Sequence, residues 1–398
     1  MNNLKINKFY INGQLIYEVA FVFYFTDFFL QFTTFMDFFA KNTFHMFSYI
    51  ALGMIIFKLF FIDQQTIKNF LIDIFVLGFL VLTWRTSSDF MLFSMGIFIL
   101  GARGVNFDRI IYLYFYVGII ILTLAVFSSL TGVIQNLVYR RGQTTGTIRQ
   151  SFGVVYPTDF AAHVLYFVLA YCYLFFEKIS IKSYFVFCLL AYLLIYFCDA
   201  RLSAVSLLLL IPVMIIGKAS QRGKKFAKKI ANYYWSVPIL SAYIIFLITY
   251  FYNKSNLILE KINSLLSGRL ALGKKGFEQY GFSIFGQHMV EHSWGGTTGM
   301  RMFMTNQSKY FFIDSSYIRI MILYGIIALL IVLGIMTFIS FRSISNEKYA
   351  LATVLVVISI SAVVEQRLLD VSYDPFLIAL LAEVYAKDKS KNIIGGKS

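Results

Sequence analysis

The chain has 398 residues, of which 59% are hydrophobic, 19% aromatic and only 14% charged, with a formal net charge of +15. Soluble domains carry roughly 25% charged residues, so this composition excludes a water-soluble fold. The basic excess lies in short segments between apolar runs, which is the pattern of membrane topology and anionic headgroups and argues against nucleic acid as a partner. The chain is therefore read as all-α integral membrane, a single polytopic domain over 1–398.

A span needs about 20 largely apolar residues to cross about 30 Å of hydrocarbon, because a helix satisfies its own backbone polar groups there. On that measure, spans are predicted near 11–30, 44–62, 69–84, 89–101, 109–131, 157–176, 183–198, 202–217, 235–252, 315–340, 349–364 and 375–386. That makes about 12 transmembrane helices. No short apolar stretch is followed by a small-residue cleavage site, so the first span is expected to stay in the protein. Cys172, Cys188 and Cys198 all sit in apolar runs, leaving the polar loops without disulfides.

Lysine and arginine concentrate in short cytoplasmic loops. The segment 218–229, with Lys218, Arg222, Lys224, Lys225, Lys228 and Lys229 and no acid, is placed inside on that rule. Arg103 and Arg109 agree, as do Lys387, Lys389, Lys391 and Lys397 of the tail. Both termini are then cytoplasmic. Two longer loops fall outside, near 132–156 and 253–314. The second is the long extracellular loop, with helices predicted over Leu257–Leu266 and Arg269–Gln279 and a glycine-rich stretch through Gly295, Gly296 and Gly299. Connections of this length are usually functional or disordered, and the aromatic content here argues for order.

Against the topology rule, the outer side collects Arg140, Arg141, Arg149, Arg201, Arg269, Arg301, Arg319 and Arg367. Each alone reads equally as a headgroup anchor that snorkels to the interface. As a set they point to a diphosphate pocket, because a guanidinium fork grips phosphate oxygens in bidentate fashion and stays charged. Pro157 is expected to open a helix with Asp159 in its first turn and His163 one turn deeper on the same face. The pair either faces a cavity or holds the helix through a structural hydrogen bond. Asp314, before Ser315-Ser316-Tyr317 and Arg319, either caps the following helix or serves as a general base facing the arginines.

His288-Met289-Val290-Glu291-His292 matches an inverted zinc-peptidase pattern. The glycines around it leave little helix to hold the spacing, so no metal is assigned. Glu18 and Asp27 in the first span, and Glu365 and Asp370 near Arg367, are further acids with either functional or ion-pairing roles. Trp294 and Tyr317 are candidates for stacking on sugar rings, with packing the alternative for Tyr317. No phosphate-binding loop, dinucleotide fingerprint or nucleophile elbow occurs.

Several of these features together resemble the O-antigen polymerase and O-antigen ligase superfamily, and most of all the Wzy-type polymerases of capsular and exopolysaccharide repeat units in Gram-positive bacteria. They are Arg149 before Phe152-Gly153 and Tyr156-Pro157-Thr158-Asp159, the turn Asp199-Ala200-Arg201-Leu202-Ser203, Ser267-Gly268-Arg269 opening the long loop, and Asp314-Ser315-Ser316-Tyr317 followed by Leu323-Tyr324-Gly325. The resemblance spans roughly 100–385. Ligase-like relatives often carry a histidine where this chain has Asp314.

The resemblance implies a membrane-embedded, GT-C-like glycosyltransferase of the bacterial cell membrane that needs no metal or other cofactor. It would move a glycan from undecaprenyl diphosphate to a sugar hydroxyl of another lipid-linked repeat unit, alongside a chain-length regulator and a flippase. On that reading Arg149, Arg201 and Arg269, with Arg140, hold the diphosphate. Asp314 activates the acceptor, while Asp159, His163, Tyr317, Arg319 and Arg301 support. The rivals are a ligase that attaches finished glycan to another acceptor and a lipid-linked oligosaccharide flippase or transporter. Transporters commonly show repeated halves and charge along a path through the bilayer; this sequence shows neither.

Overall fold

The computed structural model describes residues 12–39, 41–140, 146–305 and 310–384. Arg141 and the tail lysines Lys387, Lys389, Lys391 and Lys397 lie outside them. Along the chain run α1 (Gly13–Gln31), α2 (Lys41–Phe57), α3 (Ile67–Ser87), α4 (Met91–Leu100), α5 (Phe107–Leu130), α6 (Pro157–Leu174), α7 (Ile181–Cys198), α8 (Arg201–Gln221), α9 (Lys225–Ala231) and α10 (Val237–Tyr250). Then come α11 (Leu257–Leu265), α12 (Arg269–Tyr280), α13 (Gly296–Thr305), α14 (Ser316–Leu323), α15 (Ile326–Ser345) and α16 (Tyr349–Ser361). Eight helical stretches among the described residues are long and apolar enough to cross a membrane. They mark a multi-pass membrane protein.

The count of long spans is thus smaller than the sequence alone implies, because α4 and α16 are short, α6 is not among the eight and the predicted last span is not a long helix. The predicted span 315–340 is broken at Gly325 into α14 and α15. Gly325 has φ +94°, and a Cβ there would stand 2.3 Å from the Ile284 carbonyl oxygen. The freed backbone groups are met by the long loop: Ile326 N donates to Ser283 O at 3.0 Å and Gln287 N to Leu323 O at 3.0 Å.

The predicted last span, 375–386, is instead a short 3-10 turn, Phe376–Leu380, enclosed by other helices. Arg342 on α15 caps its carbonyl end, donating to Ala379, Leu380 and Ala382. Irregular backbone is tolerated in a membrane protein where protein surrounds it, as here. The loop near 132–156 holds an antiparallel hairpin, β1 (Val138–Arg140) and β2 (Ile148–Gln150), with Tyr139 opposite Arg149.

Cross-links between distant segments define two ends of the bundle. At one end, Phe107 and Val105 pair with Glu383, Lys218 donates to the Glu177 carbonyl, and Lys228 meets Glu347. At the other end, Thr34 N donates to Gly153 O, Thr86 Oγ1 to Phe285 O, and Arg269 Nε to Val364 O. The hairpin, the α7–α8 turn, the long loop and the turn after α16 all gather at this second end. Between the ends runs a continuous buried apolar core in which α1 packs on α2 and α5, and α16 on α8 and α15.

Candidate active site

A cavity of about 1150 Å³ opens at the end where the hairpin and the long loop meet. Local structure aims its side chains. Strand alternation turns Arg149 of β2 inward, where its Nε donates to Cys198 O at 2.9 Å and its guanidinium lies over the Tyr156 ring at 5.3 Å. The hairpin is held over the cavity by Tyr139, whose hydroxyl lies 2.7 Å from Trp294 O. Asp199, at φ +47°, ends α7 in a left-handed turn and starts α8 at Arg201, whose Nε lies 2.9 Å from Asp199 Oδ1. Gly268, at φ +87°, likewise reverses the chain so that Arg269 opens α12 facing inward.

Asp314 points toward Arg269, with 3.3 Å between Oδ2 and Nη2. It does not cap a helix, because Ser315 holds the N-cap position of α14. Burial pushes its pKa up; Arg269 pulls it down and Asp159 adds to the rise. Asp159 in the first turn of α6 pairs with Arg367. The Arg367 guanidinium is buried and lies over the rings of Phe32 and Tyr373, at 4.8 and 4.3 Å.

Arg140, Arg149, Arg201, Arg269, Arg319, Asp159 and Asp314, all singled out in the sequence, line this one cavity. Others stand apart. Arg301 is exposed on α13, away from the lining. Tyr317 is buried in the core, where its hydroxyl donates to Ser359 O at 2.9 Å. His163 does not continue the Asp159 face into the cavity: its ring is stacked between Phe29 and Tyr373, with centroids 4.1 and 3.9 Å away. Arg319 reaches the cavity wall already occupied, clasped by Glu291 and with Asp89 Oδ2 3.5 Å from Nη2. Glu291 thus belongs to an ion pair that ties the long loop to α14, and His292 beside it bridges to Phe311 in extended backbone.

Glu365, for which the sequence leaves a functional and an ion-pairing role open, falls within the site. It lines the cavity, buried, and Oε1 accepts from Ser203 Oγ at 3.2 Å. Burial raises its pKa to about 7, helped by Asp314 and Asp159 and opposed by Arg269 and Arg367. Its place two residues before Arg367 was the available signal. Ser203 and Arg269, which complete its surroundings, come from distant segments. Trp294, Tyr310 and Phe303 add an aromatic wall, with the Trp294 ring 4.5 Å from Tyr310 and 4.9 Å from Phe303.

Two zones result. Beside the hairpin, Arg140, Arg149 and Arg201 line the cavity together with Asp199, which pairs with Arg201. Toward α12 and the turn after α16, cations and acids alternate: Arg269, Asp314, Glu365, Asp159 and Arg367. No family model matches the chain, and neither a curated protein nor a solved structure matches it.

Proposed function

We propose that this protein is a membrane-embedded glycosyltransferase of the polysaccharide polymerase type, working on the outer face of a bacterial cell membrane with both termini inside. The donor would be a glycan on undecaprenyl diphosphate and the acceptor a sugar hydroxyl of another lipid-linked repeat unit. One observation carries the reading: arginines from five separate segments converge with carboxylates and aromatic rings in a single cavity at one end of a membrane bundle. The α12 and hairpin arginines would stabilise charge on the departing diphosphate, as fixed donors do in a water-poor site. Trp294 and Tyr310 offer faces for sugar rings.

The cavity is large enough for a sizeable ligand. Pockets for one drug-sized ligand run about 300–1,000 Å³, and this one is about 1150 Å³. Beneath the cavity the stacked rings of Phe29, His163 and Tyr373 and the buried Tyr114 and Tyr166 close the bundle. A ligase of the same superfamily would share the cavity and differ in its acceptor.

The test is the purified protein in vesicles with lipid-linked repeat units. A ladder of lengthened, lipid-linked glycan is expected. Substrate moved across the vesicle wall at unchanged length would overturn the reading. Transfer only of preformed long chains to an unrelated acceptor would convert the polymerase into a ligase.

A further inference from the structure

We infer that Glu365 takes the proton from the acceptor hydroxyl, and that Asp314, the more conspicuous acid, is a positioning residue for Arg269. The inference rests on the glycosyl-transfer reading above. Among the described carboxylates of the cavity, Asp159 is paired with Arg367, Asp199 with Arg201 and Asp314 with Arg269. Asp37 accepts from Thr297 Oγ1 at 3.2 Å. Glu365 lines the same cavity without an ion-pair partner among the described residues. Its Oε1 takes the Ser203 hydroxyl, and Oε2 is left free of hydrogen bonds there.

Its backbone is fixed from both sides. Arg269 Nε donates to Val364 O at 2.8 Å, and Ser316 Oγ donates to Glu365 O. Ser316 N in turn donates to Ala362 O at 2.9 Å. A carboxylate held on a locked main chain, with one oxygen satisfied and the other open, is preorganised for a single task. Asp314 differs because protonating it would strip Arg269 of its counter-charge at the moment the arginine must meet a diphosphate.

Four charged groups face Glu365: Arg269 from α12, Asp314 from the segment before α14, Asp159 from α6 and Arg367 from its own turn. Burial and the two acids outweigh the two arginines, and the resulting value of about 7 suits proton exchange at neutral pH. The step balances. The acceptor oxygen forms a bond to the anomeric carbon, whose bond to the diphosphate oxygen breaks with its electron pair leaving on undecaprenyl diphosphate. The hydroxyl proton passes to Glu365 Oε2 and later to water.

The experiment is the vesicle assay with lipid-linked repeat units, run across about pH 5.5 to 8.5. Wild-type rate should rise through an apparent pKa of about 7 as Glu365 ionises. Glu365→Gln keeps the shape and the Ser203 bond; it should bind donor as wild type does, lose about 10²–10⁴-fold in rate and lose the pH limb. Glu365→Asp should restore part of the rate. Asp314→Asn should keep the limb and raise KM for the donor.

Wild-type rate and limb in Glu365→Gln, loss of donor binding in that variant, or loss of the limb in Asp314→Asn would each overturn the inference while leaving glycosyl transfer intact. A wild-type protein that makes no polymer at any pH removes the reading beneath it, a distinct result.

Discussion

The two ends of the bundle use charge in opposite ways. At the end away from the cavity, cations that meet the bundle are held by protein groups: Lys58 by Asp63 and two carbonyls, Arg103 by Asp73, Arg109 by Glu18, and Arg342 by three carbonyls. At the cavity end Arg149 meets no carboxylate among the described residues, and the Arg201 side chain stays 64% exposed beside Asp199. Desolvating a charge is costly, so a partly buried guanidinium whose remaining donors face an open cavity marks where a ligand's charge belongs. A saturated one marks a joint of the fold.

The sharpest way to test that contrast is to remove one arginine from each end. Arg149→Ala should cut polymer formation by about 10²–10³-fold, the scale for losing one fixed donor to a developing negative charge. Its amount in the membrane should hold, because Arg149 leaves no carboxylate stranded. Arg103→Ala should do the reverse. It strands Asp73, which is fully buried, at the lower end of the roughly 3–5 kcal/mol reported for breaking a buried pair, since Arg103 itself is a quarter exposed. Thermal unfolding in detergent should show that loss, with activity per folded molecule unchanged. If Arg149→Ala unfolds and Arg103→Ala inactivates a stable protein, the two ends have been misread.

Much of this division could be read in the chain, and what could not has a common cause. The hydrophobic runs and the arginines on loops 132–156 and 253–314 are local features, so the bundle and most of the cavity's cations were legible. Partners are not local. Arg319 is indistinguishable in sequence from Arg149, yet Glu291 and Asp89 occupy it. Glu365 draws its character from Ser203 and Arg269, far away along the chain. The stretch Phe376–Leu380 is apolar because it is enclosed by protein, and enclosure and lipid contact select the same residues. The three-residue strands of the hairpin are too short for an alternation pattern to show.

The break between α14 and α15 belongs to the cavity end, where it lets the long loop stitch into a helix. Gly325→Ala would force a Cβ against the Ile284 carbonyl at a positive φ. The strain of that backbone region alone costs about 1–3 kcal/mol. Melting temperature and polymer yield should fall together, because Ser283 and Gln287 anchor the loop that carries Glu291 and Trp294. A loss of yield without any loss of stability would instead place Gly325 in the chemistry.

The smallest expected effect bears on His163, which lies beneath the cavity and outside both charged sets. Its two ring nitrogens are buried and without hydrogen-bond partners among the described residues, and aromatic rings cover both its faces. A ring without nitrogens fills the same slot and removes two unsatisfied polar atoms, so His163→Phe should change stability by no more than ~1 kcal/mol. Polymer length and rate should match wild type, because the cavity wall nearest to it is built by Arg367 and Asp159. An inactive but stable His163→Phe protein would mean that the imidazole exchanges protons with the site above it, and the boundary between cavity and packed core would have to be drawn one helical turn deeper.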